Sequence, residues 1–153
     1  MKRRDFTRSC LAAPLALAAG ATAGATLPPA RSLRAEVEAA LARHRPLVVL
    51  ASLEGCPWCR IVRDSFLAPL VRETGQPVVQ VDWGSAAPVV DFKGTATTHA
   101  ALIAGWGIGI TPSVLFFGRA GAELAPRLAG AGIPDFYGAY LDERLRIASR
   151  QLA

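Results

Sequence analysis

Two cysteines separated by two residues, Cys56 and Cys59, are the feature that most restricts how this chain can fold. They directly follow residues 47–53, a nearly continuous apolar run that is typical of a strand covered on both faces. Pro57 suits the first position of a helix, where its missing N–H is not needed. In such a helix both sulfurs lie within the first turn, close enough to be bridged and beside the positive end of the helix dipole. The spacing therefore predicts a redox dithiol.

The hydrophobic periodicity of the first half of the chain predicts a strand, helix and strand unit. Before it, a helix capped by Ser32 should run to residue 43 or 44. The helix that carries the cysteines is expected to be bent or shortened by Pro69. Residues 77–82 then form a second buried strand, and a unit of this length makes a parallel crossover.

The second half is less regular, and residues 83–95 are predicted to be a loop with a turn at Lys93 and Gly94. The remaining predicted elements are a short helix capped by Thr97 or Thr98, a strand at residues 113–117, a hairpin turn at residues 118–121, a return strand at residues 123–129 and a helix from Pro134 to Arg150. Pro126 should confine the return strand to an edge of the sheet. The residues expected to face the core from the last helix are Phe136, Tyr140, Leu141, Leu145 and Ile147.

Residues 1–25 are typical of an export signal. A basic head precedes a weakly apolar segment, and the small residues that end it suit cleavage by a signal peptidase. The Arg-Arg-x-Phe core of the head resembles the twin-arginine signal of bacterial exported proteins, which implies a periplasmic location. The alternative is an uncleaved membrane anchor, because no charged residue occurs from Ser9 to Ala30.

The predicted organisation is an export signal at residues 1–25, a linker at residues 26–31 and one domain at residues 32–153. The leader carries +3 of the formal net charge of +5, which leaves +2 for the rest of the chain. So small an excess gives no reason to expect a nucleic-acid partner.

Removal of the leader would also remove Cys10 and leave Cys56 and Cys59 alone in an oxidising compartment. A purely structural bridge between them is one alternative, although so short a loop constrains the unfolded chain little. A zinc site is another, but zinc needs four ligands and His44 and His99 are distant in the sequence. Surface or capping roles are expected for these two histidines. We therefore predict no metal site.

Thr111 and Pro112 supply a second motif, placed directly before the third central strand. With the two motifs in this order, the chain from Leu33 to its end resembles the thioredoxin-fold superfamily. The resemblance implies an α/β thioredoxin fold with a central mixed four-stranded sheet flanked by helices. Within the superfamily the chain is similar to the exported bacterial thioredoxins of the SoxW kind, which are associated with sulfur oxidation. The residues that carry this finer similarity are Gly55-Cys56-Pro57-Trp58-Cys59, Asp82-Trp83-Gly84, Asp91-Phe92-Lys93-Gly94, Thr111-Pro112, Phe116-Phe117 and Gly130.

The resemblance implies a protein disulfide reductase or isomerase. Cys56 attacks a substrate disulfide and Cys59 resolves the mixed disulfide, which leaves a Cys56–Cys59 disulfide. Thr111 would pair with an extended substrate segment beside a cis Pro112. Pro57 and Trp58 would tune the redox potential, and Trp58, where oxidising relatives have histidine, favours the reducing direction.

The sequence lacks the residue that the resemblance leads us to expect as proton acceptor for the second cysteine. Thioredoxins carry a buried acid six positions before the first cysteine, and this chain has Leu50 there. Glu54 is the nearest substitute in the sequence, although a solvated loop carboxylate is its simpler interpretation.

The expected partners are a periplasmic protein with a disulfide, for which sulfur-oxidation proteins are candidates, and a membrane dithiol electron donor. No cofactor is expected. Two other classes of function stay open: a redox-silent module that binds peptides beside Pro112, and a Cu(I) metallochaperone that uses the two thiolates.

Overall fold

The computed structural model describes residues 26–132 and 134–152. The predicted export signal and Cys10 lie outside the described residues. The elements in chain order are α1 (Leu33–Ala42), β1 (Leu47–Ser52), α2 (Pro57–Ile61), a π-helical segment (Val62–Leu67), α3 (Ala68–Thr74), β2 (Val78–Asp82), β3 (Pro88–Val90), β4 (Ala96–Thr98), α4 (His99–Gly105), β5 (Ser113–Phe117), β6 (Leu128–Ala129) and α5 (Pro134–Arg150).

Strand β1 lies at the centre of a four-stranded sheet with the order β2-β1-β5-β6. It pairs in parallel with β2 and antiparallel with β5, so the sheet is mixed. All six residues of β1 are buried, as the continuous apolar run predicts. The predicted α/β class and the mixed four-stranded sheet flanked by helices are confirmed.

The two faces of the sheet carry separate apolar clusters, because successive strand residues point to opposite sides. Val49 and Leu115 belong to the cluster that packs against α1 and α4. Val48 and Leu50 belong to the cluster on the other face, which includes residues of the π-helical segment and α5. The cysteine-bearing helix is therefore supported by the second face of the sheet.

Pro69 is expected to bend or shorten that helix, and the helix is not shortened, because α3 continues through Pro69 to Thr74. Proline removes one N–H, and its ring crowds the carbonyl four residues earlier. The turn before Pro69 widens into the π-helical segment, in which the Ala68 N–H bonds to the Arg63 carbonyl. The chain then stays helical to Thr74, and Gly75 ends it in a left-handed conformation.

The segment predicted as a loop, residues 83–95, contains a strand that the sequence did not reveal. Strands β3 and β4 form an antiparallel hairpin in which Val89 lies opposite Thr97. Asp91 closes the turn, since its Oδ1 accepts hydrogen bonds from the N–H groups of Lys93 and Thr95, both at 2.8 Å. The predicted turn is thus confirmed, and so is the helix cap, because Thr98 caps α4.

The return strand is shorter than predicted. Only Leu128 and Ala129 pair with β5, and Glu123 makes an isolated bridge to Phe117. Pro126 lies between these two contacts and cannot donate to a strand ladder, which explains the interruption.

The last helix has the predicted bounds, but the prediction of its buried face was wrong in part. Phe136 and Tyr140 are 56% and 47% exposed. Leu141 is buried as predicted, and Tyr137 and Ala148, which the prediction left out, are buried on the same helical face. Leu145 and Ile147 pack against the same cluster and are partly buried.

The segment predicted as a linker, residues 26–31, is packed against the domain. The Gln80 N–H donates to the Pro28 carbonyl at 2.9 Å, and the Ala30 N–H donates to the Gln80 carbonyl at 2.8 Å. Leu27 and Ala30 are buried. This segment therefore lies along the outer edge of β2.

Candidate active site

The cysteines lie at the start of the helix that leaves the central strand. After β1 the chain turns through Gly55, whose φ of +74° favours glycine, and Cys56 becomes the N-cap of α2. Pro57 occupies the first turn, as predicted. Cys56 and Cys59 are joined by a disulfide, with their Cα atoms 5.3 Å apart. The predicted bridge is therefore present.

The two sulfur-bearing residues differ in exposure. Cys56 is partly exposed, whereas Cys59 is 1% exposed. The Cys59 N–H donates a hydrogen bond of 3.1 Å to the Cys56 Sγ. Such a bond, together with the start of a helix, favours negative charge on the Cys56 sulfur after reduction. Cys56 is thus the sulfur that another protein can reach.

The Thr111–Pro112 peptide bond is cis, as the resemblance implies. Ala51 of β1 lies opposite Ser113 of β5, so this bond stands beside the end of β1 from which the cysteine turn departs. Pro112 is buried and Thr111 is partly exposed. Within the described residues, no backbone hydrogen bond involves the Thr111 N–H or carbonyl. An extended segment could pair with these groups.

A cavity of about 670 Å³ opens beside the disulfide. Its lining includes both cysteines, Arg63, Gln80 and Asp82. The Gln80 side-chain amide donates to Asp82 Oδ1 at 2.7 Å, and Arg63 makes a longer contact of 3.5 Å to Gln80 Oε1. One wall of the cavity is therefore a row of hydrogen-bonded polar side chains, Arg63, Gln80 and Asp82, that connects the π-helical segment to β2.

The sequence interpretation missed this polar wall. Gln80 and Asp82 are two residues apart on β2, so they point to the same face of the sheet. In the register with β1, Gln80 lies next to Leu50, the residue at the position of the expected acid. The alternation of polar and apolar residues within Val78–Asp82 was the available signal, and only the strand register connects it to the cysteines.

Of the predicted tuning and proton-accepting residues, Pro57 and Glu54 line the same cavity, whereas Trp58 is not part of its lining. Trp58 is 50% exposed between the two cysteines. Glu54 is exposed in the turn before Cys56 and also lines the cavity. Leu50 is fully buried. The proton-accepting role of Glu54 stays a prediction.

His99 is buried, contrary to the expected surface or capping role. Its Nδ1 accepts a hydrogen bond of 3.1 Å from the Asp82 N–H, and its Nε2 lies 2.9 Å from the Ala30 carbonyl. The first bond requires a lone pair on Nδ1, so the proton is on Nε2 and is donated to Ala30. The contact of 3.8 Å between Nδ1 and Asp82 Oδ2 then joins two acceptors and is not an ion pair. His44, by contrast, is exposed as predicted.

Among residues 26–132 and 134–152, no group of three or more His, Cys, Asp or Glu side chains is arranged to hold a metal ion. In the same part of the chain, no helix has the length and apolar character needed to cross a bilayer.

No protein-family model matches the chain. No curated protein matches it either. Solved structures do match. An oxidoreductase named DsbH is 17% identical with a TM-score of 0.52, and the match covers 90% of this chain and 95% of that one. Thioredoxin O2 from Arabidopsis thaliana is 16% identical with a TM-score of 0.47, covering 74% and 93% of the two chains.

The periplasmic thioredoxin SoxS from Paracoccus pantotrophus is 18% identical with a TM-score of 0.45, and the match covers 67% of this chain and 98% of that one. At such low identities a structural likeness shows the fold alone. The chain has a thioredoxin-like fold, with its cysteine pair at the start of the helix that follows the central strand.

Proposed function

We propose that the protein is an exported thiol-disulfide oxidoreductase that reduces, or isomerises, disulfides of periplasmic proteins. The observation that carries the proposal is the Cys56–Cys59 disulfide at a helix start, with Cys56 accessible and Cys59 buried. A structural disulfide does not require this difference in exposure between its two cysteines. A two-step exchange does, because one sulfur must contact the substrate first and the other must react only after the mixed disulfide has formed.

The reaction begins with both cysteines reduced. The Cys56 thiolate attacks one sulfur of a substrate disulfide, so a mixed disulfide forms and the other substrate sulfur leaves as a thiolate. Cys59 then loses its proton and attacks the Cys56 sulfur. This step releases the second substrate thiolate and forms the Cys56–Cys59 disulfide. The substrate gains two electrons, and the protein must receive two from a donor before the next cycle.

The surface around Cys56 supports the binding of an unfolded or extended protein segment. Trp58 and Ile110 are 50% and 53% exposed, and large apolar side chains in such positions can contact a partner. Among residues 26–132 and 134–152 the backbone groups of Thr111 make no backbone hydrogen bond, and next to Pro112 they offer a place for an added strand. We propose that Thr111 and Pro112 hold the substrate while Cys56 attacks.

We propose the reducing direction and an extracytoplasmic location. Trp58 supplies no cation to stabilise the Cys56 thiolate, and a less stabilised thiolate makes a weaker oxidant. Residues 1–25 have the pattern of an export signal. A reductant outside the cytoplasm needs electrons from within, so the proposed donor is a membrane dithiol protein. The motifs shared with thioredoxins of the SoxW kind favour a substrate in sulfur oxidation.

Reduction of a model protein disulfide tests the proposal, with dithiothreitol as the electron source. The full chain is used in a Cys10→Ala background, so that Cys56 and Cys59 are its only thiols. We expect Cys56→Ala to abolish turnover and Cys59→Ala to accumulate a mixed disulfide with the substrate. Equal turnover by the parent protein and Cys56→Ala would contradict the proposal and favour a redox-silent binding role.

A further inference from the structure

The second step of the proposed reaction requires a proton acceptor near Cys59. A thiol is a poor nucleophile until it loses its proton, and burial in apolar surroundings opposes that loss. Cys59 is almost fully buried, and Leu50 occupies the position in β1 at which the resemblance leads us to expect an acid. The acceptor must therefore come from another element, and the inference that follows rests on the proposed function.

Asp82 lies in a position from which it could accept the proton of Cys59. It ends β2, beside the end of β1 where the cysteine turn begins, because Ser52 and Asp82 are partners in the parallel register. Asp82 and Cys59 both line the cavity of about 670 Å³, which has room for several water molecules. A proton can thus pass from the Cys59 Sγ to the carboxylate through water in this cavity.

The hydrogen bonds of Asp82 fix its carboxylate and leave one oxygen available. Oδ1 accepts from the Gln80 amide at 2.7 Å, and the backbone N–H is held by His99 Nδ1 at 3.1 Å. His99 Nδ1 carries a lone pair in that bond, so it cannot donate to Oδ2 at 3.8 Å. Within the described residues, no hydrogen bond occupies Oδ2.

The other ionisable groups that line the cavity or contact Asp82 are poorer candidates for the proton acceptor. Arg60 of α2 and Arg63 of the π-helical segment are permanently protonated cations, so they cannot accept a proton. His99 of α4 uses both ring nitrogens in hydrogen bonds. Glu54 is a carboxylate on the cavity rim, but it is exposed in a turn, and no hydrogen bond orients it among the described residues.

We propose that Asp82, oriented by Gln80, accepts the proton of Cys59 during resolution of the mixed disulfide. The Cys59 S–H bond breaks, its proton reaches Asp82 Oδ2 through water, and the electron pair stays on sulfur. The Cys59 sulfur then bonds to Cys56 Sγ as the bond from Cys56 to the substrate sulfur breaks. The leaving thiolate takes a proton from solvent, and Asp82 returns its own to the cavity water.

A symmetric aromatic disulfide that releases a coloured thiolate separates the two steps. The reduced full chain in the Cys10→Ala background gives a first burst of colour when Cys56 attacks and a second when Cys59 resolves. General-base catalysis contributes roughly 10²-fold or more when contact is direct, so we expect about a tenfold loss for a carboxylate acting through water. Asp82→Asn should slow the second phase by about that factor at pH 7 and leave the first within about twofold.

The pH dependence distinguishes proton acceptance from a merely structural role. Without the acceptor, resolution should depend on the thiolate fraction and rise about tenfold per pH unit below the ordinary thiol pKa of about 8.5. The parent protein should show a shallower rise. Asp82→Glu should restore part of the second phase, and Gln80→Leu should slow it to an intermediate rate.

Glu73→Gln is the matched control, because it changes a carboxylate to an amide on the exposed surface of α3, away from the cavity lining, and it should leave both phases unchanged. Glu54→Gln tests the acceptor that the sequence predicts, and we expect it to slow the second phase less than Asp82→Asn does. Loss of the second phase in Glu54→Gln but not in Asp82→Asn would overturn the assignment, and so would equal pH profiles for Asp82→Asn and the parent. If the parent protein shows no burst at all, the proposed function fails as well. Far-ultraviolet circular dichroism confirms that each variant is folded.

Discussion

Replacement of Tyr137 by Phe should stabilise the protein. Tyr137 is 2% exposed in α5, and its ring lies 5.0 Å from the ring of Phe66 in the π-helical segment. Its buried hydroxyl has no hydrogen-bond partner among the described residues. An unsatisfied buried hydroxyl costs about 1 to 3 kcal/mol, and Phe keeps the ring and its contacts. We therefore expect the free energy of unfolding to rise by about 1 kcal/mol or more at pH 7.

The same residue gives the stability a dependence on high pH. Burial raises the pKa of Tyr137 above its ordinary value. In the unfolded chain the phenol ionises near its ordinary pKa of about 10, so the unfolded state loses a proton that the folded state retains. The contribution of Tyr137 ionisation to the free energy of unfolding is therefore constant below about pH 10, and it lowers that free energy as the pH rises above about 10. The advantage of Tyr137→Phe should thus grow by about 1 kcal/mol between pH 10 and pH 11.

Urea unfolding of the oxidised protein, followed by circular dichroism at pH 7, pH 10 and pH 11, measures both effects. Tyr140→Phe is the matched control, because Tyr140 lies on the same helix and is 47% exposed. It should change the stability by less than about 0.5 kcal/mol at each pH. A loss of stability in Tyr137→Phe at pH 7, or the same pH dependence in parent and variant, would refute the reasoning.

Two further substitutions, each with a control variant, test the buried hydrogen bonds of His99 and the close packing at Gly121. His99→Leu leaves the Asp82 N–H and the Ala30 carbonyl without their hydrogen-bond partner, so it should lower the free energy of unfolding by about 2 to 5 kcal/mol. The control His44→Asn, at an exposed position, should lower it by less than about 0.5 kcal/mol. Equal losses in urea unfolding would contradict the buried hydrogen bonds of His99. Gly121→Ala should lose at least about 1 kcal/mol more than Gly107→Ala, since both glycines have positive φ but only at Gly121 would a Cβ strike another residue, the ring of Phe92. Equal melting temperatures for the two glycine variants would show that the ring moves aside.

The sheet and the cysteine helix could be predicted because their signals are local. Residues 47–53 are apolar without interruption, and Cys56 and Pro57 mark a helix start within a few residues. Pro69 predicts a bent or shortened helix, but the sequence does not show that the preceding turn widens into the π-helical segment and that the helix continues to Thr74.

The errors over α5 and His99 originate in contacts between residues that are distant in the sequence, whereas the missed strands were too short to give a signal. Helix α5 has aromatic residues at 136, 137 and 140, and Tyr137 is the buried one because it packs in the cluster on the second face of the sheet, which Phe66 also contacts. Three-residue strands such as β3 and β4 are too short to show an alternating pattern. His99 meets Asp82 and Ala30, which are far from it in the sequence, so its burial could not be inferred from its neighbours.

The redox equilibrium of Cys56 and Cys59 tests the proposed function most directly. The full chain in the Cys10→Ala background is equilibrated in defined glutathione and dithiothreitol buffers, and the reduced fraction is measured by thiol alkylation and mass spectrometry. We expect one two-electron transition near the potential of thioredoxin, about −270 mV. A transition near about −120 mV would contradict the reducing direction, and a pair that never exchanges with either buffer would contradict the redox role itself.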